Sequence, residues 1–162
     1  MKYAIFLMIL SVLPSVGSDT ESSVPTAAFF ETVLGTWHGE GELMGGTAEF
    51  DMTWEEELGG RFVRLTYAIR GGRPMEAIAH YQVSDSESLD GVWVDSRGEI
   101  LELTATATAS KLTTLWRSPT EHGRTIYEIA EDGVVEVQDF FHDGSDFRQF
   151  GSARYSRVDR ED

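Results

Sequence analysis

The chain contains no cysteine. That absence excludes structural disulfides, thiolate nucleophiles, zinc ribbons and thiol-linked lipid anchors. Asparagine is absent as well, so no acceptor for an N-linked glycan exists. Basic residues are scarce: 13 Lys+Arg stand against 28 Asp+Glu, a formal charge of −15. A surface this negative repels phosphate backbones and argues against a nucleic-acid partner. The one long apolar run, from Tyr3 to Leu13, falls well short of the roughly 20 residues that cross a bilayer as a helix. Apolar content is nevertheless substantial. With 41% hydrophobic and 11% aromatic residues, the chain is too apolar for a disordered acidic tail. Its 162 residues fit a single domain.

The N-terminus has the layout of a secretory signal peptide. Lys2 precedes the apolar stretch Tyr3–Leu13, and Pro14, Ser15, Gly17 and Ser18 supply a small-residue exit. Residues 1–18 are therefore expected to be removed by cleavage after Ser18, and the mature protein to be exported to the periplasm or secreted, with no membrane span. Residues 19–25 (DTESSVP) read as a flexible linker, and residues 26–162 as one domain. Without disulfides that domain depends on its packed core, which roughly 140 residues can supply.

The periodicity then changes once. Thr26 is placed to cap a short helix over Ala27–Val33, in which Phe29, Phe30, Val33 and Leu34 share a face and Gly35 ends the run. From Trp37 the period becomes 2. Phe50, Met52 and Trp54 alternate with Asp51, Thr53 and Glu55; Val63, Leu65 and Tyr67 alternate with Arg64 and Thr66. Strand patterns recur to Val158, separated by turn signals such as Gly45-Gly46, Gly59-Gly60, Asp132-Gly133 and Asp143-Gly144. Strands joined by short hairpins make an antiparallel meander, whose simplest closure is an all-β up-and-down barrel of about eight to ten strands with the helix over one end. A sandwich would need longer crossing connections.

Several segments carry a resemblance. Leu34-Gly35-Thr36-Trp37, followed by Gly39 and Gly41, resembles the opening of lipocalin-like (calycin) barrels, in which a first-strand tryptophan plugs the base. Trp54–Phe62 (WEEELGGRF), Gly91–Gly98 (GVWVDSRG) and Tyr155–Arg157 (YSR) resemble the DUF1579 family of bacterial lipocalin-like proteins. The resemblance implies a closed barrel around a central cavity and no established reaction. Nitrobindin-type barrels are more distant relatives by this likeness and bind haem through a histidine on a strand near the C-terminus. Here the last strand, Phe147–Val158, has no histidine, and His142 falls in an apparent turn, HDGSD. That departure speaks against haem.

The residues able to carry chemistry each have a plainer reading. His38, Glu40 and Glu42 share one strand face and could bind a metal, but the same alternation marks any solvent-facing strand. Gly39 and Gly41 lack the Lys-Ser/Thr of a phosphate loop and suit a strand bend instead. Asp95-Ser96-Arg97-Gly98 could offer an acid and a guanidinium at a barrel mouth, or be a hairpin turn with Gly98 at positive φ. Arg64 is either a buried cation awaiting an anion or a solvated arginine, and period 2 does not say which. His80 is a cavity histidine or a structural one. No G-x-S-x-G elbow is present.

The functional expectation is a barrel that holds a small hydrophobic or amphipathic molecule, without metal or cofactor. Its cavity candidates are Phe50, Met52, Trp54, Arg64, Tyr67, His80, Trp93 and Asp95. The alternative is an enzyme of unknown reaction that uses the cavity as its active site, with His80, Arg64 or Asp95 taking part. Large side chains filling the interior would remove the cavity altogether.

Overall fold

The computed structural model describes residues 25–71, 73–84 and 88–158. The expected signal peptide and nearly all of the expected linker lie outside the described residues. Pro25, its last residue, already opens helix α1 (Pro25–Val33), so the helix begins before Thr26 rather than after it. Proline suits a first helical turn, because the N–H it lacks has no partner there.

Ten strands follow: β1 (Gly35–Leu43), β2 (Gly46–Glu57), β3 (Phe62–Arg70), β4 (Met75–Gln82), β5 (Ser88–Asp95), β6 (Ile100–Ala107), β7 (Lys111–Arg117), β8 (His122–Ile129), β9 (Val135–His142) and β10 (Phe147–Arg157). Each pairs antiparallel with its neighbours in sequence, and β1 pairs with β10, closing the barrel. Closure leaves no edge strand with unpaired amides to template aggregation. The seam between β1 and β10 depends on close approach. A β-carbon at Gly39 would come within 2.5 Å of the Tyr155 ring, and one at Gly41 within 2.0 Å of the Ser152 carbonyl oxygen. These glycines, expected to bend the strand, make room for β10 and its tyrosine.

The two ends of the barrel differ. At one end α1 lays Phe29 and Phe30 on the interior, and both are buried. Trp37 is 1% exposed, and its indole N–H donates to the Val33 carbonyl at 2.8 Å. The aromatic partner of the two phenylalanines is Trp54, with ring centroids 6.5 and 6.0 Å from Phe29 and Phe30. Arg157 fixes the helix to the last strand. Its Nη2 donates to the Thr32 carbonyl at 2.6 Å, its Nη1 bonds the Leu34 carbonyl, and its guanidinium lies 4.3 Å from the Trp37 ring centroid. A cation there meets the negative end of the helix dipole. The opposite end, formed by the β1–β2, β3–β4, β5–β6, β7–β8 and β9–β10 hairpins, has no such cap among the described residues.

Candidate functional site

The alternation Val135, Val137, Asp139 points three side chains of β9 into the barrel. The valines are buried, whereas Asp139, farther toward the uncapped end, is half-buried. Its cross-strand neighbours are Thr125 on β8 and Gly151 on β10. The Thr125 hydroxyl donates to Asp139 Oδ1 at 2.7 Å, and the Trp116 indole N–H donates to Thr125 Oγ1 at 3.3 Å. Trp116 reaches that hydroxyl by lying over Gly123, where a β-carbon would come within 2.2 Å of its ring. Among the described residues no Lys, Arg or His forms an ion pair with Asp139. Desolvation pushes its carboxyl up to about 6, and the Thr125 bond offsets only part of that rise.

Four tyrosines from four strands feel the charge of Asp139: Tyr67, Tyr81, Tyr127 and Tyr155. The Tyr81 hydroxyl shares a hydrogen bond with Thr114 Oγ1 at 3.2 Å, and the hydroxyls of Tyr67 and Tyr155, and of Tyr81 and Tyr127, influence each other electrostatically. Burial, the largest cause in each, pushes Tyr81 up to about 12 and raises the other three well above the ordinary phenol range. All four are therefore neutral hydroxyls at physiological pH. Trp93 completes the wall: its ring centroid is 5.6 Å from that of Tyr67, and its indole N–H donates to Asp95 Oδ2 at 3.1 Å.

The expected cavity residues divide into three groups. Tyr67 and Trp93 face inward and remain half-buried on the uncapped side. Phe50, Met52 and Trp54 also face inward but are no more than 3% exposed, packed into the core. Trp54 stacks on Tyr81 at 6.0 Å, and its indole N–H has no acceptor among the described residues. Asp95 is inward at the end of β5, yet its oxygens are already engaged. They accept from the Trp93 indole, the Arg97 guanidinium and the Arg97 and Glu99 backbone amides, while Gly98 at φ +86° turns the chain. Burial pushes the Asp95 carboxyl up, but these donors together outweigh it and hold it below the usual carboxylate range. The segment is a hairpin turn.

Arg64 and His80 are corrections, because both lie on the outer face. Arg64 pairs with Glu55 at 2.5 Å and Glu57 at 3.2 Å, and His80 with Glu57 at 3.0 Å. The physical reason is the pleat: their neighbours Val63, Leu65, Ala79 and Tyr81 take the interior, which turns them to solvent. His38 is likewise external and bonds Asp51 at 2.9 Å. His142 ends β9 rather than lying in the turn, and stacks on His122 with centroids 4.4 Å apart.

Asp139, Thr125 and Trp116 were not among the expected site residues. The signal for Asp139 is visible in retrospect: an acid at i+4 on a face whose i and i+2 positions are valine. Beside it on the rim, a groove of about 550 Å³ is lined by Glu42, Met44, Phe141, Gln149, Phe150 and Gly151, among others. Gly151 separates this groove from the acid, since a β-carbon there would lie 3.4 Å from Asp139 Oδ2. The register slip between Gln149 and Gly151 shapes that stretch of rim. No family model matches the chain, and no curated protein matches it.

Proposed function

We propose that this protein is an exported barrel that binds a small hydrophobic or amphipathic molecule. One observation carries the reading: the inner face is packed shut at the helix end, whereas Tyr67, Trp93, Trp116 and Asp139 stay half-buried toward the uncapped end. Apolar walls with a few convergent polar groups are the usual make-up of a small-molecule site. The likeness to the DUF1579 barrels belongs to the same proposal and adds the expectation of a central cavity. An enzymatic reading gains less support. Asp139 is the one group of this cluster raised toward neutral pH, the tyrosines around it hold their protons far above it, and the arrangement by itself marks no particular reaction.

Binding is tested with the uncharged polarity probe N-phenyl-1-naphthylamine. The reading expects saturable enhancement at one site per chain, weakened by Trp116→Ala or Tyr67→Ala in variants whose circular dichroism matches the parent. Native mass spectrometry of protein from its own host should show a co-purifying small molecule. No binding by this probe or by a chemically broad ligand panel overturns the proposal. For export, N-terminal sequencing should begin near Asp19, and an intact Met1 in a membrane pellet contradicts it.

A further inference from the structure

Resting on the ligand-binding reading above, we propose that the uncapped end of the barrel selects an organic cation. The ligand is an amphipathic amine whose ammonium head pairs with Asp139, while its apolar part lies against Tyr67, Trp93 and Trp116. On the outer surface the arginines already have acidic partners: Arg64 in Glu55 and Glu57, Arg70 in Asp51, Arg117 in Glu102, Arg154 in Asp132 and Glu136, so none of these is left to neutralise an inward acid from that face. The other inward carboxylate, Asp95, is saturated by local donors. Asp139 alone of the two receives a single hydroxyl hydrogen bond, on Oδ1, and has no basic partner among the described residues. A half-buried, desolvated carboxylate without a counter-ion is costly, and a ligand that brings the counter-ion offsets the cost.

The walls favour the same chemistry. Ring faces of tryptophan and tyrosine carry negative quadrupoles that attract ammonium groups, and three such rings stand on this side of the interior. The nearest polar groups, the hydroxyls of Tyr67, Tyr81, Tyr127, Tyr155 and Thr125, are neutral and give a cation no competitor. A fatty-acid carboxylate would meet Asp139 head on, and the chain's net charge of −15 would repel it before it arrived. Ionisation of Asp139 also gives the pairing a pH dependence, with amine binding strengthening as pH rises through about 6. The facing tyrosines do not titrate in that range.

The test compares n-octylamine, n-octanol and n-octanoate by isothermal titration calorimetry at pH 7.5, on the full mature chain and on Asp139→Asn. The proposal expects the amine to bind at least about tenfold more tightly than the alcohol, with octanoate weakest. It also expects that preference to vanish in Asp139→Asn, and in the parent at pH 4.5. Equal binding of all three ligands, or an amine preference that survives Asp139→Asn, overturns cation selection and leaves the ligand-binding reading standing. Failure of all three to bind, with the naphthylamine probe also silent, overturns both.

Discussion

Two tryptophans at the capped end, both about 1% exposed, differ in one atom's surroundings. The Trp37 indole N–H has an acceptor in the Val33 carbonyl, and that of Trp54 has none among the described residues. Removing a partner from a buried acceptor costs about 1–3 kcal/mol beyond the packing loss. Trp37→Phe is therefore expected to destabilise more than Trp54→Phe, by about 1 kcal/mol or more, and Trp37→Ala to cost about 3–5 kcal/mol. Urea denaturation of the three variants checks the order, and an unchanged midpoint for Trp37→Ala contradicts its role as the plug. Asp139 gives the opposite sign. Its folded-state value of about 6 lies above the ordinary 3.8, so between those values the folded protein binds more protons than the unfolded chain and stability falls as pH rises. Asparagine can still accept from Thr125 without carrying charge. Asp139→Asn should leave the melting temperature nearly unchanged at pH 4 and raise stability by about 1–3 kcal/mol above pH 7. Melting curves across pH 4–8 read this directly, and a variant that is less stable at pH 8 contradicts the unpaired-acid description.

At the scale of elements, α1 and β10 hold each other through one side chain. Arg157 bonds the carbonyls of Thr32 and Leu34 and lies over Trp37. Arg157→Met should cost about 1–2 kcal/mol, combining a helix C-terminal charge with a cation–π contact. Hydrogen exchange should show the loss concentrated in the amides of α1, and uniform loss over the barrel would argue against local capping. The β1–β10 seam is stricter. At Gly41 the added carbon of alanine would meet backbone rather than a flexible side-chain end, with Ser152 O at 2.0 Å and Ala153 Cα at 2.6 Å. Gly41→Ala should therefore exceed the usual 1–3 kcal/mol of overpacking. Gel filtration should show loss of the folded species, and a normally folded variant would mean that the strands can part without cost.

For the molecule as a whole, closure joins the two ends of the strand sequence. A chain truncated after His142 keeps nine strands but exposes the edges of β1 and β9. It should lose cooperative unfolding and aggregate, which light scattering and a denaturant titration detect. Element order and type were legible because they rest on local pattern. The change from period 3.6 to period 2 after Leu34, and the turn signals between alternating runs, indicate a short helix and then about eight to ten strands, and ten are observed. Hairpin-length connections then leave few topologies besides a meander. The inward face was not legible where apolar residues fall on both faces of a strand, as in β3 and β4. Arg64 lies between Val63 and Leu65, and His80 between Ala79 and Tyr81. Only packing against the other strands turned those apolar neighbours inward and left Arg64 and His80 outside with Glu55 and Glu57. The sequence by itself determined an acidic all-β chain with one helix, because hydrogen-bonded periodicity and turn chemistry are local. The tertiary structure alone decided that Phe50, Met52 and Trp54 fill the core while Asp139 stands with Thr125 and Trp116, because burial and side-chain hydrogen bonding depend on the register between strands and on what packs across the barrel, neither of which a local pattern specifies.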